Sequence, residues 1–213
     1  MGICFSLHSH ELISPFLDRL VTDDEKWVFC QNVKCCRHWL VEREKTQPQL
    51  KRELQVKKVL LSVWWDCKGI IHFELLPTNA TINAQIYCQH LVCLKATLKK
   101  KRFVLVNWKW VVFHQDNTRL HTAKITSQMI KKLGWEKITH SPYSPDLAPS
   151  DYHLFHSVQN HLDGLTLETT KEIKTDLSEF FSSKLKEFFT NGIKMLISRW
   201  KDVIDNHGNY IDD

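Results

Sequence analysis

Trp110-Val111-Val112-Phe113-His114-Gln115-Asp116-Asn117 sets four apolar residues directly against four polar ones. A short, nearly continuous apolar run suits a strand in the middle of a sheet, covered on both faces. Downstream, residues 120–133 read as a helix stopped by Gly134, and 135–138 as another short strand. Asp116 therefore falls at the carboxyl end of a central strand, where open α/β sheets gather their ligands. The competing reading is a turn or helix-capping residue, a role that Asn117 or Thr118 fills equally well.

Upstream, residues 16–29 form an approach segment and a strand interrupted by Asp23-Asp24-Glu25. A second extended piece is expected at 35–40, and a polar, proline-containing loop at 46–54. Residues 56–65 are dense in β-formers, Asp66-Cys67-Lys68-Gly69 supplies a turn, and 70–75 return as the partner strand. Over 81–100 the period changes: Tyr87, Leu91, Leu94 and Leu98 recur at helical spacing. Three prolines stiffen 141–150; a helix then runs from about Pro149 to Leu162, and 168–206 are helical again. Hairpin, crossover helix, central strand, helix, strand and helix predict an α/β fold, a mixed β-sheet flanked by helices.

With 213 residues, 43% hydrophobic and 25% charged, the chain has material for one substantial core and is not a disordered tail. A formal charge of +5 is compatible with a nucleic-acid partner without requiring one. The seven cysteines argue against a disulfide framework, and Cys30, Cys35 and Cys36 lack the spacing of a zinc site. The first twelve residues have neither the basic region nor the long apolar run of a signal peptide, and no membrane span is expected.

Three aspartates stand in apolar surroundings. In an extended segment Asp23 and Glu25 alternate to one face, leaving Asp24 alone on the other. In a helix starting near Pro149, Asp151 shares a face with Phe155, Val158 and Leu162, which points it toward the core. An unpaired carboxylate there is costly; the helix-start amides or a metal ion would relieve it. Hard oxygen ligands suit Mg²⁺ or Mn²⁺, and two such ions about 3.5–4 Å apart serve phosphoryl transfer.

At these residues the chain resembles the catalytic domain of mariner-family (Tc1/mariner superfamily) DNA transposases. Val21-Thr22-Asp23-Asp24-Glu25-Lys26-Trp27 is similar to the family's V-T-G-D-E-K-W, His114 to Ala123 to its H-H-D-N-A-R-P-H-T-A, and Tyr143 to Phe155 to its Y-S-P-D-L-A-P-S-D-Y-H-L-F. Asp24, Asp116 and Asp151 take the three catalytic positions, and the 34 residues between the last two are the mariner interval. The likeness starts near Ile3-Cys4 and includes Phe16-Leu17-Asp18-Arg19, the 59–65 strand and Arg199-Trp200. Asp146 falls on a loop position. Three departures are Asp23 for the family glycine, Leu120 for a proline, and Leu185-Lys186 where prolines are frequent.

The resemblance implies a ribonuclease-H-like fold and Mg²⁺- or Mn²⁺-dependent DNA cleavage and strand transfer, with two ions held by Asp24, Asp116 and Asp151. It implies a DNA partner, a homodimer and a nuclear location, with the cytoplasm as a second compartment, and no small-molecule substrate. Lys99, Lys100, Lys101, Arg102, Arg119 and Lys124 are the expected phosphate contacts. Residues 1–15 read as the tail of a linker and 16–213 as the catalytic domain. The family's helix-turn-helix modules are expected to be absent, as in a truncated or decayed copy. The alternative is a catalytically inactive DNA-binding or dimerisation module.

Overall fold

The computed structural model describes residues 1–32, 57–76, 82–108 and 110–211. The extended piece and the loop expected at 35–40 and 46–54, with Cys35 and Cys36, lie outside them.

The first difference from the sequence reading comes at once. Residues expected to be a linker tail form helix α1 (Gly2–Ile13), with Cys4 buried in the main core. The Oε2 atom of Glu11 accepts the amides of Phe16 at 2.7 Å and Leu17 at 3.2 Å, turning the chain into the sheet. Phe16, fully buried, lies between the rings of His10 and Trp200.

Strand β1 (Leu20–Phe29) pairs antiparallel with β2 (Lys58–Asp66), which pairs antiparallel with β3 (Gly69–Leu76). The β2–β3 turn is the predicted one: Asp66 Oδ1 accepts the Lys68 amide at 2.9 Å, and Gly69 adopts φ +129°, which a side chain would resist. Helix α2 (Ala84–Lys101) is capped by Asn83, whose Oδ1 accepts the amides of Gln85 and Ile86. The four apolar residues that predicted it are all fully buried. A short helix α3 (Phe103–Trp108), not expected from the sequence, leads to β4 (Val112–His114).

The helix expected over 120–133 is broken into α4 (Arg119–Thr122) and α5 (Lys124–Leu133), because Ala123 takes an extended backbone. Gly134, at φ +77°, ends α5 as predicted. Strand β5 (Glu136–Lys137) follows, then a 3₁₀ turn (Pro145–Leu147), a π-helical turn (Ser150–Phe155) and α6 (His156–Leu162). The C-terminal helical region divides into α7 (Thr170–Ser183) and α8 (Lys186–Asp205). Leu185, between them at φ −69° and ψ 156°, adopts the backbone that proline favours, so the break survives without one.

Among the described residues the sheet has five strands in the order β3-β2-β1-β4-β5, with β1–β4 and β4–β5 parallel. Alternation sends neighbouring residues to two cores. Leu20, Val63, Trp65 and Val112 face α6, α7 and α8, whereas Val21, Trp64, Ile71 and Phe113 face α2 and α5. Each large apolar side chain buried this way contributes about 1.5–3 kcal/mol before ordering costs. Among the described residues Cys4, Cys30, Cys67, Cys88 and Cys93 are free thiols, and no helix is long and apolar enough to cross a membrane.

Candidate active site

The site grows from the parallel register of β1 and β4, which pairs Leu20 with Val112, Val21 with Phe113 and Thr22 with His114. Past the last bridged pair, the same alternation puts Asp23 and Gln115 toward α2, and Asp24 and Asp116 toward the π-helical turn. The Tyr87 hydroxyl of α2 lies against both the Asp23 carboxylate and Gln115 Oε1. Asp23 is only 4% exposed.

The Asp24 and Asp151 carboxyls lie close enough for the charge of Asp151 to act on Asp24, and the charge of Asp116 acts on both. The three aspartates are thus near enough to sense one another's charge, and Asp116 and Asp151 border one recess. Burial, and then the charge of Asp151, raise the Asp24 carboxyl well above its ordinary range, while its Oδ1 accepts the Glu25 amide at 2.7 Å. Asp151 is raised by desolvation and by Asp116, against the lowering charge of Lys26. For Asp116, burial works upward but is outweighed by His121 and by the Thr118 amide, which hold it below its ordinary value. Thr118 N donates to Asp116 Oδ1 at 3.0 Å, and His121 Nδ1 lies on the same oxygen.

Asp151 differs from its expected orientation. Phe155, Val158 and Leu162 are buried, but Asp151 is exposed at the mouth of the site. The cause is the π-helical turn: its i→i+5 bonding breaks the 3.6-residue phase that aligned Asp151 with the apolar face. Ser150 and Leu154 take the buried side instead, and Ser150 Oγ accepts the Trp65 indole N–H at 3.0 Å. Asp116 and Asp151 border a recess of about 330 Å³ whose other walls include Asn117, His140, Tyr143 and Pro145. Tyr143, 89% exposed and at φ +53°, stands at the rim.

Behind Asp116, His121 is fully buried. Burial would lower its pKa, but the hydrogen bond to Asp116 and the nearby carboxylates of Glu25 and Asp23 push it up to about 10. Asp23 is pushed up to about 7 by burial, with His121 opposing and Glu25 adding. His114 contacts Thr22 Oγ1 at 3.0 Å and His140 at 3.1 Å; burial lowers it to about 3, so it is neutral. The sequence reading gave His121, Tyr87 and Gln115 no part in the site, although His121 and Gln115 lie inside a quoted motif and Tyr87 on the predicted helix face.

The expected phosphate contacts divide. Lys99, Lys100, Arg119 and Lys124 are exposed. Lys101 Nζ donates to the Ile71 carbonyl at 2.9 Å, and Arg102 makes a two-pronged pair with buried Asp66 at 2.6 and 3.0 Å. Those two side chains are engaged within the fold.

The profile of the family described as transposase (partial DDE domain) matches residues 29–107. The Mos1 mariner transposase of Drosophila mauritiana is 36% identical over 210 residues, covering 98% of this chain and 61% of that protein. The human histone-lysine N-methyltransferase SETMAR is 37% identical over 198 residues, covering 93% of this chain and 29% of that protein. The chain therefore spans less than two thirds of either relative. The crystal structure of the Mos1 catalytic domain superposes with a TM-score of 0.85 at 36% identity, covering 99% of this chain and 93% of that one. The Mos1 paired-end complex with the left transposon end gives a TM-score of 0.93 and covers 62% of that chain. The mixed sheet and its helices are thus a ribonuclease-H-like fold, and the chain belongs to the mariner transposases, matching their catalytic domain across nearly its whole length.

Proposed function

We propose that the chain catalyses divalent-metal-dependent cleavage and strand transfer of DNA phosphodiesters, with Asp24, Asp116 and Asp151 as the metal-holding residues. The observation that carries this reading is the recess bordered by Asp116 and Asp151, with Asp24 close enough for the Asp151 charge to raise it. Like charges brought this close raise one another's carboxyls, as Asp151 does to Asp24 and Asp116 to both. Such a group of hard oxygen donors fits Mg²⁺ or Mn²⁺, whose charge would offset the repulsion among the carboxylates. Solved Mos1 complexes with Mg and with Mn support the same cofactor class.

Bound there, two ions would activate an attacking oxygen and stabilise the departing one. The remaining work belongs to the chain. His121 and Thr118 orient Asp116. Trp65 anchors the turn that carries Asp151, and Lys26, whose charge reaches Asp151, offers a cation at the mouth. Lys99, Lys100, Arg119 and Lys124 supply exposed charge for phosphates, which positions a duplex without reading its bases. Binding of duplex DNA is accordingly weak and largely non-specific. Self-association and a nuclear location complete the reading by analogy with the family.

The experiment is a cleavage assay on nicked and pre-cleaved duplexes with Mg²⁺ or Mn²⁺. Activity in the parent, lost in EDTA and in Asp116→Asn, is expected. Equal cleavage by parent and Asp116→Asn would remove the proposed site. No cleavage by the parent, with duplex binding that ignores metal, would assign the chain to DNA binding alone.

A further inference from the structure

Directly behind the aspartates, on the α2 side of β1, three side chains meet, each with one buried atom that lacks a hydrogen bond. Asp23 and Glu25 project there together because they alternate with Asp24, and His121 reaches them from α4. Each offers a ligand atom, and these atoms all lie within 4.8 Å of one another. His121 Nε2 is 3.5 Å from Glu25 Oε1 and 3.9 Å from Asp23 Oδ2.

Asp23 Oδ1, Glu25 Oε1 and His121 Nε2 are all buried atoms without a hydrogen-bond partner. Asp23 is 4% exposed and His121 0%. Buried polar atoms without a hydrogen bond are costly, and at 3.5 and 3.9 Å the His121 ion pairs are too long to supply one, so three such atoms in one cluster point to an occupant. Lys137, whose charge reaches Asp23, forms no ion pair with it among the described residues.

The surrounding hydrogen bonds have the order of a metal centre. Nδ1 of His121 is committed to Asp116 Oδ1, so an ion that displaces the other ring proton would find Nε2 aimed at the two carboxylates. A histidine ligand held from behind by a carboxylate is the usual outer-shell support of a bound metal. Tyr87 donates to Asp23 Oδ2, and Gln115 Nε2 holds the His121 carbonyl at 2.8 Å.

We propose that Asp23, Glu25 and His121 form a transition-metal site, distinct from the one assigned to Asp24, Asp116 and Asp151, with Zn²⁺ as its ion. One imidazole nitrogen with two carboxylate oxygens suits Zn²⁺, whereas Mg²⁺ prefers oxygen ligands alone. An ion would reach all three atoms at about 2.0–2.2 Å after a small inward movement, with water in the fourth position. Asp23 stands where the resembling family has glycine, so the site is a property of this chain rather than of the family motif. Its ion would hold the imidazole that orients Asp116, joining the two faces of β1.

The test is Zn²⁺ binding to the metal-stripped full chain without DNA, followed by calorimetry, with Co²⁺ substitution to read ligand geometry. The parent should take up one Zn²⁺ that persists in Asp24→Asn/Asp151→Asn. Its affinity should fall at least tenfold in Asp23→Gly and in Glu25→Gln, with loss of the Co²⁺ visible bands. Asp23→Gly restores the family residue and Glu25→Gln keeps side-chain volume, so at least one is expected to fold, as circular dichroism would show. Parent-like binding by a folded Asp23→Gly or Glu25→Gln protein would overturn the site, as would loss of the ion in Asp24→Asn/Asp151→Asn or no Zn²⁺ uptake by the parent. None of these measurements uses DNA cleavage, so failure here is distinguishable from failure of the proposed enzymatic reading.

Discussion

His121 donates its Nδ1–H to Oδ1 of Asp116 from a fully buried position. The same oxygen accepts the Thr118 amide at 3.0 Å, so both bonds fall on Oδ1 and neither on Oδ2.

His121 is therefore a positioning residue for the proposed reaction. His121→Asn is expected to lower metal-dependent kcat about 10–100-fold, as removal of an outer-shell donor commonly does. KM for duplex DNA should change little, because His121 is shielded from the surface. Parent-like kcat in steady-state cleavage would refute the assignment.

Trp65 links the middle of the sheet to the turn that carries Asp151. Trp65→Phe keeps most of the apolar volume but leaves Ser150 Oγ without its indole donor. A loss of about 1–3 kcal/mol in urea unfolding is expected, with a fall in kcat exceeding any change in DNA affinity. Unchanged stability would mean that the turn does not depend on this bond.

The basic cluster after α2 should separate by function. Lys99→Glu/Lys100→Glu is expected to weaken duplex binding and to reduce the slope of log K against log salt by about 0.9 for each phosphate no longer neutralised. Arg102→Ala acts on the fold instead, because Asp66, 2% exposed, is left without either prong of its pair. A destabilisation of about 3–5 kcal/mol is expected. Paired salt titrations and denaturant curves would distinguish the two effects; a normal melt for Arg102→Ala would reject the structural role.

His114 gives stability a pH signature. Its folded pKa is lowered to about 3, so between that value and its ordinary 6.5 the unfolded chain binds the proton and the folded chain does not. Its contribution is present above pH 6.5 and is lost as pH falls. His114→Asn is expected to be about 1–3 kcal/mol less stable at pH 7.5, because Thr22 and His140 no longer have the imidazole between them. That deficit should shrink by about 1.4 kcal/mol per pH unit below 6.5. A deficit independent of pH would exclude a neutral buried imidazole.

Gly192 tests the fit of α8. An added Cβ would overlap the His153 imidazole, which bonds the Phe188 carbonyl at 2.8 Å. Gly192→Ala should therefore destabilise by about 1–3 kcal/mol, despite the helix preference of alanine. Gly2→Ala, with open space around it, serves as the control for calorimetric melting; equal midpoints would show that His153 yields freely.

What the sequence disclosed depended on how locally each signal is written. The β2–β3 hairpin was legible because β-formers flank an Asp-to-Gly turn, and α2 because its buried residues keep one period. Helix α1 was hidden by a thin apolar face, and α3 by Phe103 and Val104, which stay exposed. The break at Ala123 lies in a backbone angle that its side chain does not announce. Alternation correctly separated Asp24 from Asp23 and Glu25. It did not disclose that Asp23 is buried rather than solvent-facing, because the cause is Tyr87, 64 residues away. For Asp151, helical phase failed where the π-helical turn replaced it.

Among the described residues, the sheet ends in two unequal rims. β5 is two residues long, and both are exposed and charged, too little backbone to recruit another strand. β3 is longer, with eight residues, and there Lys101 Nζ occupies the Ile71 carbonyl at 2.9 Å while also approaching that of Ile70 at 3.5 Å. A lysine read from sequence as a phosphate contact thus acts as a stopper on an open ladder, discouraging copies of the chain from joining edge to edge.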